Sequence, residues 1–214
     1  MTKKKNNNNI IKKTNEKGVY MKTIKENSNN EIIIKNSRFI TLLFKIKEKE
    51  DIEIILKESK QKYPKATHYC YAYKIGENIK KASDDGEPGG TAGMPMLNIL
   101  DKEDITNILA ITIRYFGGIK LGAGGLIRAY SKSVKEALNN IEKIELIKGV
   151  KCKISFPYTK EKEILQQISH ENIISKTYLE KITYTVLLPA DSPILNQENV
   201  TILEKKYIEK ETAN

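Results

Sequence analysis

The sequence predicts an α+β fold in two domains, and three observations carry that reading. Runs with strand and helix periods alternate between residues 31 and 141. Glycine then marks a boundary at Gly149, after which the pattern restarts as strand, helix, strand, strand, weak helix, strand, the order of a ferredoxin-like unit. Hydrophobic residues make up 39% and charged residues 30% of the 214, enough for a core and incompatible with wholesale disorder. The expected division is a flexible basic tail (1–20), a first domain (21–148) and a second (149–214).

Each element has its own warrant. Ile32–Ile34 and Phe39–Ile46 are β-rich runs around Asn36 and Ser37 and suit a hairpin. Ile52, Ile55, Leu56, Ser59 and Tyr63 recur at helical spacing until Pro64 stops them. Thr67–Ile75 alternates, with Tyr69, Tyr71 and Tyr73 on one side and His68, Cys70 and Ala72 on the other. Thr91 is placed to cap a helix over Ala92–Leu100, with Pro95 near its start. Ile108–Tyr115 is a β-branched run fit for a buried strand, and Leu126, Tyr130, Val134, Ala137, Leu138 and Ile141 trace a helix stripe. Beyond Gly149, strands are expected at 150–156, 173–178, 181–188 and 200–208, with a helix at 160–168.

Composition narrows the function classes. No apolar run approaches the ~18 residues of a membrane span, and no secretory signal opens the chain, so a cytoplasmic protein without a membrane partner is expected. Two cysteines, Cys70 and Cys152, do not make a disulfide framework. The net charge of +10 is unevenly spread. Residues 1–25 hold eight Lys and one Glu, residues 26–149 hold 20 basic and 17 acidic side chains, and residues 150–214 hold nine of each. The excess is therefore chiefly a tail, and the number alone says little about nucleic acid. Only three basic residues are Arg: Arg38, Arg114 and Arg128. Against a Lys-rich background their rigid forks draw notice.

Nine of the twelve glycines lie between Gly86 and Gly125, in two loops. In the second, Arg114–Tyr130, the residues Gly117, Gly118, Gly122, Gly124 and Gly125 precede a helix whose free N–H groups favour an anion, with Arg114, Lys120 and Arg128 adding charge. The loop lacks the Lys-Ser/Thr ending of a Walker loop, and a tight strand-to-helix connection with close packing is the other reading. The first loop, Ser83–Gly93, carries Asp84, Asp85 and Glu87. Their roles stay open among capping, ion pairing to Arg114 or Arg128, a hard-cation site and acid/base work. The spacing is not that of an EF-hand. His68 and Cys70 share a strand face at ~6.5–7 Å, but no C-x-x-C or second nearby histidine completes a metal site, and no G-x-S-x-G elbow is present. No catalytic residue, metal or cofactor is expected. The tyrosine stripe suits packing under a helix or stacking of bases.

Three strings, THYCYAY (67–73), SDDGEPGGTAG (83–93) and RYFGGIKLGAGGLIRAY (114–130), occur in this order and strongly resemble the IMPACT/YigZ family over about residues 20–145. The resemblance implies a left-handed β-α-β first domain, shared with ribosomal-protein domains and GHMP kinases. It implies a second domain similar to a C-terminal domain of the translocation elongation factor. It also implies a translation-linked, non-enzymatic regulatory protein that binds nucleic acid, the ribosome or a translation-associated factor, without DNA sequence specificity. The eukaryotic relative's restraint of a starvation kinase is not carried over. The alternative is an enzyme acting on a phosphorylated or anionic small molecule in a pocket formed by the two loops. A partner-protein adaptor is a third reading. Where family members often carry a basic residue, this chain has Met94.

Overall fold

The structure is a computed structural model describing residues 21–210; the expected tail, residues 1–20, lies outside the described residues. In chain order the elements are β1 (Lys22–Ile24), β2 (Ser28–Ile34), β3 (Ser37–Lys45), α1 (Glu50–Lys62), β4 (His68–Ile75), β5 (Ile79–Ser83), α2 (Gly93–Lys102), β6 (Ile108–Tyr115) and α3 (Ala123–Asn139). There follow β7 (Lys143–Phe156), α4 (Glu161–Gln167), β8 (Ile173–Tyr178), β9 (Ile182–Pro189) and β10 (Val200–Glu209).

The first sheet has the order β2-β3-β6-β4-β5, with every pair antiparallel. Lys35 and Asn36 both take positive φ, 45° and 62°, and close the β2–β3 hairpin one residue earlier than the sequence suggests. The central strand β6 is buried from Ile108 to Arg114, as its unbroken β-branched run demands. Strand alternation sends two sets of side chains to opposite faces. Leu42, Tyr73, Leu109 and Ile111 meet Ile52, Ile55 and Leu56 of α1. Phe39, Leu43, Cys70 and Ala110 meet Met96 and Leu100 of α2 and Leu126, Tyr130 and Val134 of α3. The result is three layers, one helix on one face and two on the other. The tyrosine stripe therefore packs: Tyr73 is 8% exposed, and the Tyr69 hydroxyl donates to the Tyr63 carbonyl at 2.5 Å. On the opposite face, the hydroxyls of Thr41, Thr112 and Ser133 satisfy one another under α3, at 2.9 and 2.5 Å from Thr41.

The second sheet runs β10-β7-β9-β8, again antiparallel throughout. With α4 between β7 and β8 this is the strand order of a ferredoxin-like unit. The expected second helix is reduced to a 3-10 turn at Pro193–Asn196. Its core gathers Cys152, Phe156, Ile164, Tyr184 and Val186. β7 continues unbroken through Gly149, and its start pairs with β1. Gly149 has no room for a side chain: a Cβ would lie 2.5 Å from Ile208 Cγ2.

Candidate functional site

The register of the first sheet gathers four connections at one end. Arg38 faces Tyr115, His68 faces Arg114, and Ser83 faces Tyr71. The β2–β3 turn, the α1–β4 connection, the first glycine loop and the second glycine loop therefore emerge together. The two loops are joined directly. Arg114, 5% exposed, donates from Nη1 to Glu87 Oε1 at 2.6 Å, and Glu87 is itself 7% exposed. The same Glu87 oxygen accepts the Tyr130 hydroxyl at 2.8 Å, tying in α3. Glu87 Oε2 lies 3.8 Å from His68 Nε2. Ser37 Oγ accepts from Arg114 Nη2 at 3.4 Å and from the Gly117 amide at 3.2 Å. The Arg114 guanidinium lies 5.5 Å from the ring centroids of Phe39 and Phe116. Its Nε is buried with no hydrogen-bond partner.

The first loop is closed to outside anions. Asp84 turns its carboxylate into the amide nest at the start of α2. Oδ2 accepts the Gly90 N–H at 2.8 Å, and Oδ1 accepts those of Ala92 and Gly93 at 2.9 and 2.8 Å. Burial opposes ionisation of Asp84, but these three amides outweigh it and hold its carboxyl below the usual carboxylate range. The α2 cap is therefore supplied by Asp84. Thr91, expected to provide it, donates to the Pro88 carbonyl at 2.7 Å. Asp85, at φ 42°, accepts the Tyr69 N–H at 2.6 Å, while its carbonyl lies 2.8 Å from His68 Nδ1. Cys70 is sealed beneath, its sulfur 2.9 Å from the Asp84 carbonyl oxygen and 3.3 Å from the Tyr130 hydroxyl. Burial pushes the Cys70 thiol up to about 12, so it is a neutral packing group at ordinary pH. Among the described residues, no group of three or more His, Cys, Asp or Glu is arranged to hold a metal.

The second loop is open. Gly122 takes φ 70° before α3 and no side chain caps that helix. Lys120, Gly124 and Arg128 are exposed, and neither cation makes an ion pair among the described residues. Phe116 and Ile119 are also exposed, at 47% and 45%. Gly118 takes φ 84°, whereas Gly117 is required by close approach: a Cβ there would lie 2.0 Å from the Asn36 carbonyl carbon. Lys35 and Lys65, exposed and in no ion pair among the described residues, lie in the neighbouring connections at the same end. Their contribution was not legible in the sequence, because only the register places them beside the second loop. Both take positive φ, so each stands in a tight turn.

A layered sheet whose two glycine loops are clasped by a buried Arg–Glu–Tyr cluster defines the class of protein. Residues 35–138 match the family described as the Impact N-terminal domain. The chain is 48% identical over 135 residues to the IMPACT family member YvyE of Bacillus subtilis (strain 168), covering 57% of this chain and 62% of that protein. It is 43% identical over 86 residues to the IMPACT family member YigZ of Escherichia coli (strain K12), covering 38% and 42%. The chain thus aligns with less than two thirds of either relative. A crystal structure of a hypothetical protein superposes with a TM-score of 0.67 at 28% identity, covering 86% of this chain and 96% of that one. Over residues 35–138 the chain is thus similar to the Impact N-terminal domain, and the relatives it resembles over that region are IMPACT family members.

Proposed function

We propose that this chain is a non-enzymatic binding protein that contacts RNA, on the ribosome or free, through the loop end of its first sheet. The observation that carries the reading is the company kept by the second glycine loop. Lys35, Lys65, Lys120 and Arg128, all exposed and in no ion pair among the described residues, stand at the same end of the sheet as an uncapped helix start and the exposed ring of Phe116. Phosphate contacts of this kind give sequence-independent affinity that falls with salt. The family resemblance supports a regulatory role linked to translation. The enzyme alternative finds less support. It needs carboxylates free to act, and Asp84, Asp85 and Glu87 are each already engaged by amides or by Arg114.

The test is salt-dependent co-sedimentation with ribosomes and total RNA. Wild type is retained at low salt and released as salt rises. Changing Lys35, Lys65, Lys120 and Arg128 together to Glu abolishes retention while leaving the fold intact. Retention that survives this change, but is lost on deleting residues 1–20, would assign binding to the tail and sink the proposal.

A further inference from the structure

The second sheet has one face packed and one face bare. Along β7 and β9, Cys152, Ile154, Phe156, Tyr184 and Val186 point into the core. Alternation therefore turns Lys151, Lys153, Ser155, Thr183, Thr185 and Leu187 the other way, with Lys153 and Ser155 exposed and the others half-buried. The hydrogen bond between Ser155 and Thr183, 2.9 Å, confirms that they share that side. Register extends the face outward: Thr201 of β10 stands opposite Lys153, and Ser175 and Thr177 of β8 stand opposite Thr185 and Thr183. Glu204 of β10 stands opposite Lys151, and its carboxylate lies 3.8 Å from Lys206 on the same strand.

We infer that this bare face is a second contact surface, and that its ligand is the sugar-phosphate backbone of double-helical RNA. The inference takes its ligand class from the RNA reading above but stands on separate residues. Three arguments fix the partner. Lys151 and Lys153, two residues apart on one strand with Cα atoms ~7 Å apart, make no ion pair among the described residues and offer their ammonium groups to phosphates. The hydroxyls around them both donate and accept, which suits the ribose 2′-OH as well as phosphate oxygen; an acidic protein would need the charges alone. Of the aromatic residues in the four paired strands, Phe156 and Tyr184 are in the core, and register sets Tyr178 beside Ile182 and Tyr207 beside Lys148, at the parity of the packed face. Bases therefore have nothing to stack on, and the backbone of a duplex is favoured over a splayed single strand.

The experiment measures binding of the full chain to a fluorescent RNA hairpin stem by anisotropy across a salt series. Polyglutamate serves as an acidic-protein control. Lys151→Ala/Lys153→Ala is expected to weaken binding several-fold and to reduce the log–log salt slope by about two. Both residues lie on a solvent face, and circular dichroism verifies that the double variant folds. An unchanged slope and affinity in this variant, with binding weakened by Lys120→Ala/Arg128→Ala, overturns the second surface and leaves the first. The reverse pattern keeps the second surface and removes the first. Absence of RNA binding by wild type at low salt removes both. Binding to polyglutamate as tight as to the stem shows that the face reads charge alone and overturns the choice of RNA.

Discussion

Gly117 shows how a single absent side chain holds the site together. Its Cα lies against the backbone of the β2–β3 turn, so Gly117→Ala forces either that turn or the second loop to move. A loss of about 2–4 kcal/mol is expected. Gly89, with nothing within 4 Å and no positive φ, is the control: Gly89→Ala should stay within about 0.5 kcal/mol. Urea unfolding of both variants checks the contrast. Glu87 is a harsher case. Glu87→Gln leaves the Arg114 charge buried without its partner, at a cost of about 3–5 kcal/mol. Asp84 supplies a pH signature. Its carboxyl is depressed in the folded state, so its stabilisation is complete above the unfolded value near 3.9 and is lost as pH falls through the folded one. The stability gap between wild type and Asp84→Ala, about 1–2 kcal/mol from the lost cap, should be level from pH 8 to 5 and should narrow below pH ~4. A gap that widens on acidification would contradict the cap.

At the scale of elements, legibility followed periodicity. The alternation of β4, the helical spacing of α1 and α3, and the apolar run of β6 each correspond to what those elements bury. β1 and β5 left no such signal. β1 has three residues, and β5 is an edge strand whose Ile79, Lys80 and Lys81 all face solvent. The site was legible as composition and not as pairing. Clustered glycines and carboxylates named the two loops, but capping, ion pairing, metal and acid/base roles all remained open. The sheet register supplies an ion pair and a cap by setting His68 opposite Arg114, which brings Glu87 to the guanidinium and leaves Asp84 for the α2 amides. A consequence can be measured on Cys70. It is covered by α2 and α3, so its labelling by a thiol reagent at pH 8 should be negligible in the native protein and should track opening of that helical layer. Prompt labelling without denaturant would mean the layer does not close over β4.

For the whole molecule the question is whether the two sheets unfold as one. β7 belongs to the second sheet alone, but it crosses between the two residue ranges: its Lys143–Glu145 stretch pairs with β1, which bridges from Lys22 to Ile105, while its later residues carry β9 and β10. Lys143–Glu103 at 2.9 Å, Lys45–Glu209 at 2.6 Å and the hydrogen bond from Tyr207 to Glu77 also join the two sheets. These links are polar contacts between largely half-buried side chains, each worth about 1 kcal/mol. The two cores hold separate sets of side chains, and that of the second sheet is the smaller. We therefore propose that residues 21–148 and 149–214 are distinct cooperative units despite the shared strand. Each core holds one cysteine, Cys70 in the first and Cys152 in the second, and burial raises both thiols. Pulse labelling along a urea gradient, read by mass spectrometry of the two peptides, then reports each unit by itself. Cys152 should become reactive at lower urea than Cys70, giving a window in which only the C-terminal peptide is modified. If both appear together at every concentration, the rigid run of β7 through Gly149 couples the sheets, and the division does not hold.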